Sequence, residues 1–581
     1  MANILFVVPM KQFALNQEIN GTLLLATKLL EAGFDAQILR LCEIDTYHQD
    51  YNTFIHDAAE KISASGAQYV CFYTLWPYYH MELRLARELK QRGLITILGG
   101  PQASATAMQT MQAMPFVDYI CSGEGEHTIV PFFRAMQDGS SLDSIPGLYH
   151  RGDGAVIANT AEMPLCDLDT LPHWDDRLYL DHYDASDPSL ADRSFFMPID
   201  AGRGCPYSCT FCCTSYFWRR TYRLKSPERI VEDIQYFNKK FGIKSFWFSH
   251  DAFTTNHKLV SAVCDYILEK KLDITWRCTA RIDCISQELI LKMKQAGMVH
   301  IELGIESGSP RMQKLINKNL NLQRAKEMIR FLLDNKITVG LFFMYGFPEE
   351  TEEDLNQTLE LFFTMLDMGV AGASMSFCKF NPSTAITEKY LDELVFDPSM
   401  KILFRGIYGY QEEEDMILAN KAIFPFFYHL DTPLRRNYQY LHFLCYMYEL
   451  FPNSMKYVRR LYNGDNLRFY QDFYESNPEV FEKDTQHVWE SVKHHPMEIF
   501  DNILSKFDQP YIPQLKELLR FVHDAKRIND ANEDLTIQES YGFNYLDFRL
   551  RRPIESYAQG RTELLMQKIG GKTDMKLLRI E

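Results

Sequence analysis

The first 135 residues of the chain alternate short apolar runs with longer segments in which apolar residues recur at helical spacing. Five runs predict buried parallel strands: residues 4–8, 36–41, 69–74, 95–98 and 118–121. Segments 21–31 and 82–92 predict helices between the strands, and Gly93 is a typical helix stop. Repeated β–α units predict an α/β domain of the Rossmann-like or flavodoxin-like type over residues 1–135.

Glycine-rich and polar segments follow several of these predicted strands. Parallel sheets bind ligands beyond the carboxyl ends of their strands, and glycine there lets the backbone approach a large flat ligand. The candidate ligand-binding residues in this domain are Thr74, Gly99, Gly100, Gln102, Gly123 and Glu124. Pro9 and Met10 follow the first strand in the same way. A tight β–α turn is the alternative explanation of Gly99-Gly100-Pro101.

A second periodic region covers residues 196–390 and predicts a partial βα (TIM-like) barrel. Its apolar runs predict strands at residues 197–201, 245–249, 274–277, 300–303 and 339–343. Active sites of βα barrels lie at the carboxyl ends of the strands, and the polar candidates there are Asp251, Arg281, Glu306 and Ser307. Structural alternatives stay open: an N-cap for Asp251 and a hydrogen-bonded turn for Glu306-Ser307. Arg281 is also placed to form a salt bridge with Asp283.

The remaining regions are patterned differently. Residues 136–195 contain several prolines and the polar run 181–192, which predict a connector between the two domains. Residues 391–581 predict a helical domain, and the aromatic residues at 422–448 recur at a spacing typical of a core. We expect this C-terminal domain to cover the open end of the barrel and to shape a substrate pocket. The cluster Arg549, Arg551 and Arg552 predicts a solvated surface.

Composition and charge exclude several functional classes of protein. The 581 residues are 46% hydrophobic and 24% charged, which is typical of a soluble globular protein. The formal net charge of −16 argues against a general nucleic-acid binder. No apolar run reaches the roughly 18 residues of a membrane span, and the N-terminus shows no signal-peptide pattern. Thirteen cysteines without a disulfide-like framework predict a reduced, cytoplasmic protein.

One loop concentrates the cysteines at the spacing C-x3-C-x2-C. Cys205, Cys209 and Cys212 give an iron–sulfur cluster three thiolate ligands and leave one iron without a protein donor. The alternatives are a zinc site of the Cys3His type and three buried thiols without a metal. The next histidine downstream is His250, which is far from the usual zinc-ligand spacing.

The loop, with Phe211 before its last cysteine, resembles the signature of the radical SAM enzymes. In that family the open iron chelates the amino and carboxylate groups of S-adenosylmethionine. An electron from the cluster then cleaves the sulfonium to give a 5′-deoxyadenosyl radical. The resemblance implies that Asp251, Arg281, Glu306 and Ser307 lie in segments that contact S-adenosylmethionine.

The order of the domains indicates a resemblance to one subgroup of this family. An N-terminal α/β unit with Gly-Gly-Pro after its fourth strand and Gly-Glu-Gly-Glu after its fifth, followed by the cysteine loop, resembles the cobalamin-binding radical SAM group. The resemblance covers residues 1–390 and implies cobalamin in the N-terminal domain. The Asp-x-His-x-x-Gly motif that supplies histidine to cobalt is absent, and Gln102 stands where family members often have histidine. A domain that keeps the fold without the corrin is the alternative.

The resemblance implies an enzyme that uses a [4Fe–4S] cluster, S-adenosylmethionine and cobalamin to methylate an unactivated carbon. We predict a natural-product precursor or a peptide as the substrate and a reducing donor of the flavodoxin or ferredoxin type. Nucleic acids and membranes are not expected partners. A radical cyclisation or rearrangement without methylation, as in anaerobic protoporphyrin-ester cyclases, is the first alternative. A metal-binding scaffold without catalysis is the second.

Overall fold

The computed structural model describes residues 3–8, 19–41, 50–159, 165–178, 196–397, 409–481, 485–530, 535–541, 562–569 and 572–580. Two parallel sheets organise the first two thirds of the chain, and helices with a small antiparallel sheet follow them. Several residues discussed above lie outside the described residues: Pro9, Met10, the run 181–192, Arg549, Arg551 and Arg552. In the described part of the chain, no helix is long and apolar enough to cross a bilayer.

The N-terminal sheet has the strand order of a flavodoxin-like fold. Its strands are β1 (Asn3–Val8), β2 (Asp35–Arg40), β3 (Tyr69–Tyr73), β4 (Ile95–Gly99), β5 (Tyr119–Cys121), β6 (Leu148–Gly152) and β7 (Ala155–Ala158). They lie in the order 2-1-3-4-5-6-7. Strands β1 to β5 are parallel, whereas β6 and β7 pair antiparallel at one edge. The order reverses between β1 and β3, the switch point at which such sheets bind ligands.

Helices cover both faces of this sheet. They are α1 (Ile19–Glu31), α2 (Tyr51–Ala64), α3 (Tyr79–Gln91), α4 (Pro101–Ala105), α5 (Ala107–Ala113) and α6 (Ile129–Asp138). The β3 sequence Tyr-Val-Cys-Phe-Tyr is apolar and buried on both faces, as expected of a central parallel strand. The face that carries α2 and α3 shares a hydrophobic core with residues between 378 and 428. The C-terminal third therefore packs directly on the N-terminal domain.

The second sheet is a partial barrel. Its strands are β8 (Met197–Asp200), β11 (Ser245–Ser249), β12 (Thr275–Ala280), β13 (Met298–Glu306), β14 (Thr338–Tyr345) and β15 (Gly372–Phe377), and the short pair β9 (Gly202–Arg203) and β10 (Arg223–Leu224) flanks the cysteine loop. The barrel strands lie parallel in the order 15-14-13-12-11-8. Their carboxyl ends therefore meet at one mouth, as predicted for a TIM-like barrel.

Helices connect the barrel strands, and their ends follow ordinary capping rules. They are α7 (Cys213–Phe217), α8 (Pro227–Phe241), α9 (His257–Glu269), α10 (Gln287–Gln295), α11 (Pro310–Leu315), α12 (Leu322–Asp334), α13 (Glu352–Met368) and α14 (Ala385–Tyr390). Ser226 caps α8 by accepting from the Arg229 N–H, and Gly242 ends that helix in the left-handed region. Thr351 and Asp354 form a capping box that begins α13.

The C-terminal region is mainly helical, as predicted. Its helices are α15 (Glu414–Ala419), α16 (Pro433–Asn437), α17 (Leu441–Leu450), α18 (Pro452–Arg460), α19 (Asn466–Glu475), α20 (Pro478–Phe481), α21 (Thr485–His494), α22 (Pro496–Leu504) and α23 (Ile512–Asp530). Its strands are β16 (Val395–Phe396), β17 (Tyr428–His429), β18 (Leu535–Tyr541), β19 (Thr562–Ile569) and β20 (Lys572–Ile580). The antiparallel sheet β18–β20 departs from the all-helical prediction. Gly570-Gly571 between β19 and β20 is the hairpin signal that the prediction overlooked.

The predicted fold class is confirmed: an α/β domain, a partial βα barrel and a helical C-terminal region follow one another. Most aromatic residues of segment 422–448 are buried, as expected of a core; they include Phe424, Phe426, Phe427, Tyr438, Phe443 and Tyr448. The predicted connector contributes β6 and β7 to the first sheet. The domain boundaries at residues 135, 195 and 390 stay a prediction.

Candidate active site

The cysteine loop sits at the barrel mouth, directly after β8 and β9. The predicted ligands Cys205, Cys209 and Cys212 are free, half-buried thiols. Thr210, inside the loop, is held through both of its backbone polar groups. Its N–H donates to the Ile316 carbonyl at 3.0 Å, and its carbonyl accepts from the Ile386 N–H at 3.0 Å. These contacts fix the loop against two connections of the barrel.

Gly204 shows how closely the loop is covered. Its φ of 84° lies in the left-handed region, which favours glycine. A Cβ at this position would collide with the Thr221 carbonyl and lie 3.0 Å from the Trp218 Cβ. The turn formed by residues 218–221 therefore packs on the backbone immediately before the first cysteine.

Burial favours the protonated thiol at Cys205 and Cys212. It raises the pKa of Cys205 to about 11 and also raises the pKa of Cys212. Thiolates bind metals only after losing this proton, so we expect cluster assembly to release protons. In the described part of the chain, no three His, Cys, Asp or Glu side chains are grouped to hold a single metal ion.

Arg281 approaches the loop from the end of β12. Its guanidinium lies 3.8 Å from the centre of the Tyr207 ring, and its Nη1 lies 3.4 Å from the Cys209 Sγ. The same guanidinium donates twice to Asp283, at 3.0 and 2.9 Å, and once to the Lys318 carbonyl at 3.0 Å. The salt bridge considered from the sequence is therefore present, and it orients Nη1 toward the sulfur of a predicted ligand.

Asp251 follows β11 and faces the barrel mouth. Its Oδ1 accepts from the Thr214 hydroxyl at 3.2 Å, one turn beyond the cysteine loop. The carboxylate is open to the mouth but enclosed by surrounding protein, and this desolvation raises its pKa above the usual value. The sequence alternative of an N-cap is not realised, because Asn256 caps the next helix, α9.

Glu306 and Ser307, at the end of β13, already have protein partners. Glu306 adopts a φ of 67° and pairs with Lys318, Nζ to Oε1, at 2.7 Å. Ser307 is fully buried, and its hydroxyl lies 2.9 Å from the Thr358 hydroxyl. The hydrogen-bonded turn considered from the sequence describes Ser307 well. Glu306 and Lys318 form a buried pair beside the loop.

A cavity of about 560 Å³ connects the carboxyl ends of the two parallel sheets. This volume lies in the range of cofactor and small-molecule sites, about 300–1,000 Å³. Gly99, Gly100, Gly123 and Glu124 line it from the first sheet, and Asp251 lines it from the barrel. Several aromatic side chains complete the walls; they include Tyr73, Trp76, Trp174, Phe217, Trp218 and Trp247. Of the predicted barrel residues Asp251 alone is among the lining residues, so the structure brings it together with the glycine turns but does not place Arg281, Glu306, Ser307 or the three predicted ligand cysteines in the described cavity wall.

Gly100 is required where the first sheet meets the cavity. Its φ is 90°, and a Cβ there would lie 2.9 Å from the Thr74 backbone N. Thr74 supports this turn, since its hydroxyl donates to the Gly99 carbonyl at 2.8 Å and accepts from the Ala103 N–H at 2.9 Å. The predicted binding residue Thr74 is therefore a brace behind the glycines, because both bonds of its buried hydroxyl are used within the turn.

Gln102 also differs from the expectation. Its side chain is buried and turned away from the cavity, and its Nε2 donates to the Ile423 carbonyl at 2.8 Å. The second contact of the same amide is the Thr106 hydroxyl at 3.3 Å. Gln102 thus joins the N-terminal domain to the C-terminal region. The side chain points this way because position 102 lies on the face of α4 that packs against residues 423–428.

A buried charge network that the sequence analysis missed closes one side of the cavity. Arg203 lies 2.6 Å from Glu126 and 3.6 Å from Glu124, and Arg223 is ion-paired with Glu124. Glu124 also accepts from the Cys166 N–H at 2.9 Å. The arginines flank the cysteine loop, whereas the glutamates end β5, so the network joins the two sheets. The Gly-Glu-Gly-Glu segment hinted at it, but the partners are 77 and 99 residues away.

The cavity contains one histidine from the barrel side. His250 accepts from the Ala252 N–H at its Nδ1 with a distance of 2.8 Å. Burial lowers the pKa of His250 to about 4, so the ring is neutral at pH 7. Among the described lining residues, those from the first sheet include no imidazole.

Comparison with known proteins supports this site. Residues 199–362 match the Radical SAM superfamily profile. The chain carries a radical SAM domain. That domain includes the cysteine loop and the strand ends that carry Asp251, Arg281 and Glu306. It implies a [4Fe–4S] cluster and S-adenosylmethionine as cofactors.

The curated relatives that this chain resembles carry different activities in their names. An uncharacterised methyltransferase of Pyrococcus horikoshii is 29% identical over 296 residues, which are 50% of this chain and 61% of that protein. An anaerobic magnesium-protoporphyrin IX monomethyl ester cyclase of Rubrivivax gelatinosus is 28% identical over 291 residues, which are 48% of this chain and 50% of that protein. The matches thus span 50% and 61% of these relatives' own length.

A solved structure extends the likeness beyond the radical SAM domain. The cobalamin-dependent S-adenosylmethionine radical enzyme OxsB, solved with aqua-cobalamin bound, shares 14% sequence identity with this chain at a TM-score of 0.55. The alignment covers 91% of this chain and 81% of that chain, so the two share a fold that includes the N-terminal sheet. The predicted resemblance to the cobalamin-binding radical SAM group is thus confirmed at the level of the fold, and over residues 199–362 the family profile confirms the radical SAM part.

Proposed function

We propose that this protein is a cobalamin-dependent radical SAM methyltransferase that acts on an unactivated carbon of a natural-product or peptide precursor. The observation that carries the proposal is the cavity shared by the two sheets. A substrate placed there lies between residues that flank the cysteine loop, Arg203 and Thr214, and the glycine turns of the N-terminal sheet. Its reacting carbon is then within reach of both cofactor sites.

The residues around the cysteine loop fit a [4Fe–4S] cluster. Cys205, Cys209 and Cys212 would hold it, and Arg281 donates toward the Cys209 sulfur, where hydrogen bonds tune cluster potentials. Such a cluster supplies an open iron for S-adenosylmethionine and the electron for its cleavage. Asp251 offers an acceptor for the ammonium group of that zwitterion, and Thr214 holds the carboxylate in place.

The other wall of the cavity fits a corrin. Gly99 and Gly100 present bare backbone, and Tyr73 and Trp76 present aromatic faces, so a large flat macrocycle can approach closely. Cobalamin would supply a carrier for the methyl group between S-adenosylmethionine and substrate. Because the described lining residues from this wall include no imidazole, the corrin would bind without a histidine ligand from the N-terminal domain.

Anaerobic reconstitution tests the proposal directly. The protein is supplied with iron, sulfide and hydroxocobalamin, desalted, and examined by metal analysis and visible absorption. We expect about four irons per chain, a retained corrin spectrum and 5′-deoxyadenosine release after reduction with S-adenosylmethionine. Iron and corrin both absent from the desalted protein, or zinc in place of iron, would overturn the proposal and favour the metal-binding scaffold.

A radical cyclisation without methylation is the second candidate. It is favoured by the similarity to the Rubrivivax gelatinosus cyclase over 48% of this chain. S-adenosylmethionine with a deuterated methyl group distinguishes the two candidates in an extract of the source cells. Deuterium in a new small-molecule or peptide product supports methylation, whereas an unlabelled product formed together with deoxyadenosine supports cyclisation. The cytoplasmic location and the identity of the electron donor remain predictions.

A further inference from the structure

An exposed pair of arginines follows the cysteine loop. Arg219 and Arg220 close the turn after α7, and both are exposed. Their φ angles of 52° and 55° place two consecutive non-glycine residues in the left-handed region. This conformation is unfavourable for residues with a Cβ, so surrounding contacts must impose it. Trp218, directly before Arg219, provides one such contact. Its ring lies beneath the guanidinium groups of Arg203 and Arg223, which holds the start of the turn in place.

A short path of hydrogen bonds links this turn to the cysteine loop. The Arg220 N–H donates to the Ser215 carbonyl at 2.8 Å. The Ser215 hydroxyl in turn donates to the carbonyl of Cys212 at 3.2 Å. On its other side, the turn packs over Gly204, next to Cys205. The exposed arginines thus lie on the outer surface of the segment that wraps the cluster loop.

Charge distinguishes this pair from its neighbours. Arg203 and Arg223 are partly buried, with 10% and 16% of their side chains exposed, and are neutralised by Glu124 and Glu126. Arg219 and Arg220, in contrast, form no ion pair with any residue in the described ranges. They form a local positive surface on a chain whose formal net charge is −16. Tyr216, with 55% of its surface exposed, adds a large aromatic contact beside them.

We infer that Tyr216, Arg219 and Arg220 form the docking surface for a small acidic electron-transfer protein of the flavodoxin or ferredoxin class. The inference rests on the proposed function, since it presumes a cluster that must be reduced. One electron leaves the reduced donor and enters the oxidised [4Fe–4S]²⁺ cluster, which becomes [4Fe–4S]⁺; no group is transferred. A positive patch on an otherwise acidic protein directs an acidic donor to the surface beside the cysteine loop.

Charge reversal tests the surface, and the chain offers a matched control. The test variant is R219E/R220E, and the control is K270E/K271E. Lys270 and Lys271 are also consecutive, exposed and basic, and Lys271 also has a positive φ, of 51°. They lie between α9 and β12, at the opposite end of the barrel from the cysteine loop. Both variants change the net charge by the same amount.

Two measurements use reduced and oxidised flavodoxin as the probe. Binding of oxidised flavodoxin to the reconstituted protein is measured by calorimetry, and cluster reduction by reduced flavodoxin is followed by stopped-flow absorbance. At about 0.1 M salt we expect R219E/R220E to weaken binding and slow reduction roughly tenfold, and at about 1 M salt the difference should largely vanish. K270E/K271E should remain within about twofold of the wild type.

Reduction by dithionite separates the possible failures, because this small reductant needs no docking surface. Equal flavodoxin binding and equal reduction rates in R219E/R220E and the wild type would overturn the docking surface. An equal loss in K270E/K271E would do the same, since it would show only a net-charge effect. Failure of dithionite to reduce any cluster in the wild type would instead contradict the proposed function.

Discussion

The N-terminal sheet and the barrel end at the same cavity, but they contribute different chemistry to it. The first sheet presents the bare backbone of Gly99 and Gly100 and aromatic side chains. The barrel presents ionisable groups, among them Asp251 and His250. The acidic residues of the first sheet, Glu124 and Glu126, are already neutralised by barrel arginines. One wall therefore selects a ligand by shape and the other by charge.

The largest effect is expected on the charged wall. Replacing Cys209 by alanine removes one of the three predicted cluster ligands, so deoxyadenosine release should fall to background and iron content should drop. Cys213→Ala is the matched control, because this thiol directly follows the last predicted ligand and should not be needed for iron. The comparison is made by iron analysis and product chromatography. Full iron content in Cys209→Ala would contradict the assigned ligand set.

The buried network between the walls should have the next largest effect. Arg203→Met leaves the Glu126 carboxylate, whose side chain is only 6% exposed, without its cation, whereas Glu124 keeps Arg223. Removing one partner of a buried pair costs about 3–5 kcal/mol, which denaturant unfolding measures. Arg436→Met is the control, since Arg436 and Asp431 form an exposed pair at 2.6 Å. Exposed pairs contribute about 0–1 kcal/mol, and equal losses in both variants would refute the network.

The shape of the other wall is tested at Gly100. Gly100→Ala combines a positive φ with a close approach to the Thr74 backbone. Gly139→Ala is the control, because Gly139 has a φ of 69° but nothing within 4 Å of an added Cβ. We expect Gly100→Ala to lower the free energy of unfolding by about 1–3 kcal/mol more than the control. It should also lose corrin absorbance on desalting while it keeps its iron.

A smaller, pH-dependent effect is expected from Glu350, after β14. Burial raises the pKa of Glu350 from 4.5 to about 8, while Gly346 and Phe347 N–H groups donate to it. A folded-state pKa above the unfolded value means that the folded protein holds the proton more tightly. Its contribution to stability is therefore complete below about pH 4.5 and is lost as the pH rises toward 8.

Comparison of Glu350→Gln with Glu349→Gln isolates this contribution. As the pH rises from 4.5 to about 8, the wild type should lose roughly 1–3 kcal/mol of unfolding free energy relative to Glu350→Gln. The pKa of Glu349 is shifted in the opposite direction to that of Glu350, because hydrogen bonds from Lys389 and Tyr390 lower it. Parallel stability curves for the wild type and Glu350→Gln would show that the buried carboxyl does not titrate in this range.

Local patterns were enough to predict most strands of both sheets. Apolar runs such as residues 69–74 and 245–249 coincide with β3 and β11 within one residue. Strand β15 was missed because Gly372-Ala373-Ser374-Met375-Ser376-Phe377 is rich in small and polar residues. Its serines, Ser374 and Ser376, are exposed, and Glu449 of α17 approaches Gly372. That contact depends on tertiary packing, which single-sequence periodicity does not contain.

The sequence predicted which residues of the site lie at strand ends, but it did not predict the directions in which their side chains point. Sequence order placed the cysteine loop, Asp251 and Gly99-Gly100 at strand termini, and all line or adjoin the cavity mouth. It could not show that Thr74 and Gln102 would turn inward, because a side chain's direction depends on neighbours distant in sequence. The Arg203 network was hidden for the same reason, since its partners are 77 residues apart.

The contact between the Gln102 amide and the Ile423 carbonyl has a consequence for how the chain folds during synthesis. The helices on one side of the first sheet share their apolar core with residues up to 428. The ribosome makes those residues roughly 15–60 s after it has completed residue 135. During that interval the nascent N-terminal domain exposes apolar surface. A chaperone that shields this surface should therefore raise the yield of active protein.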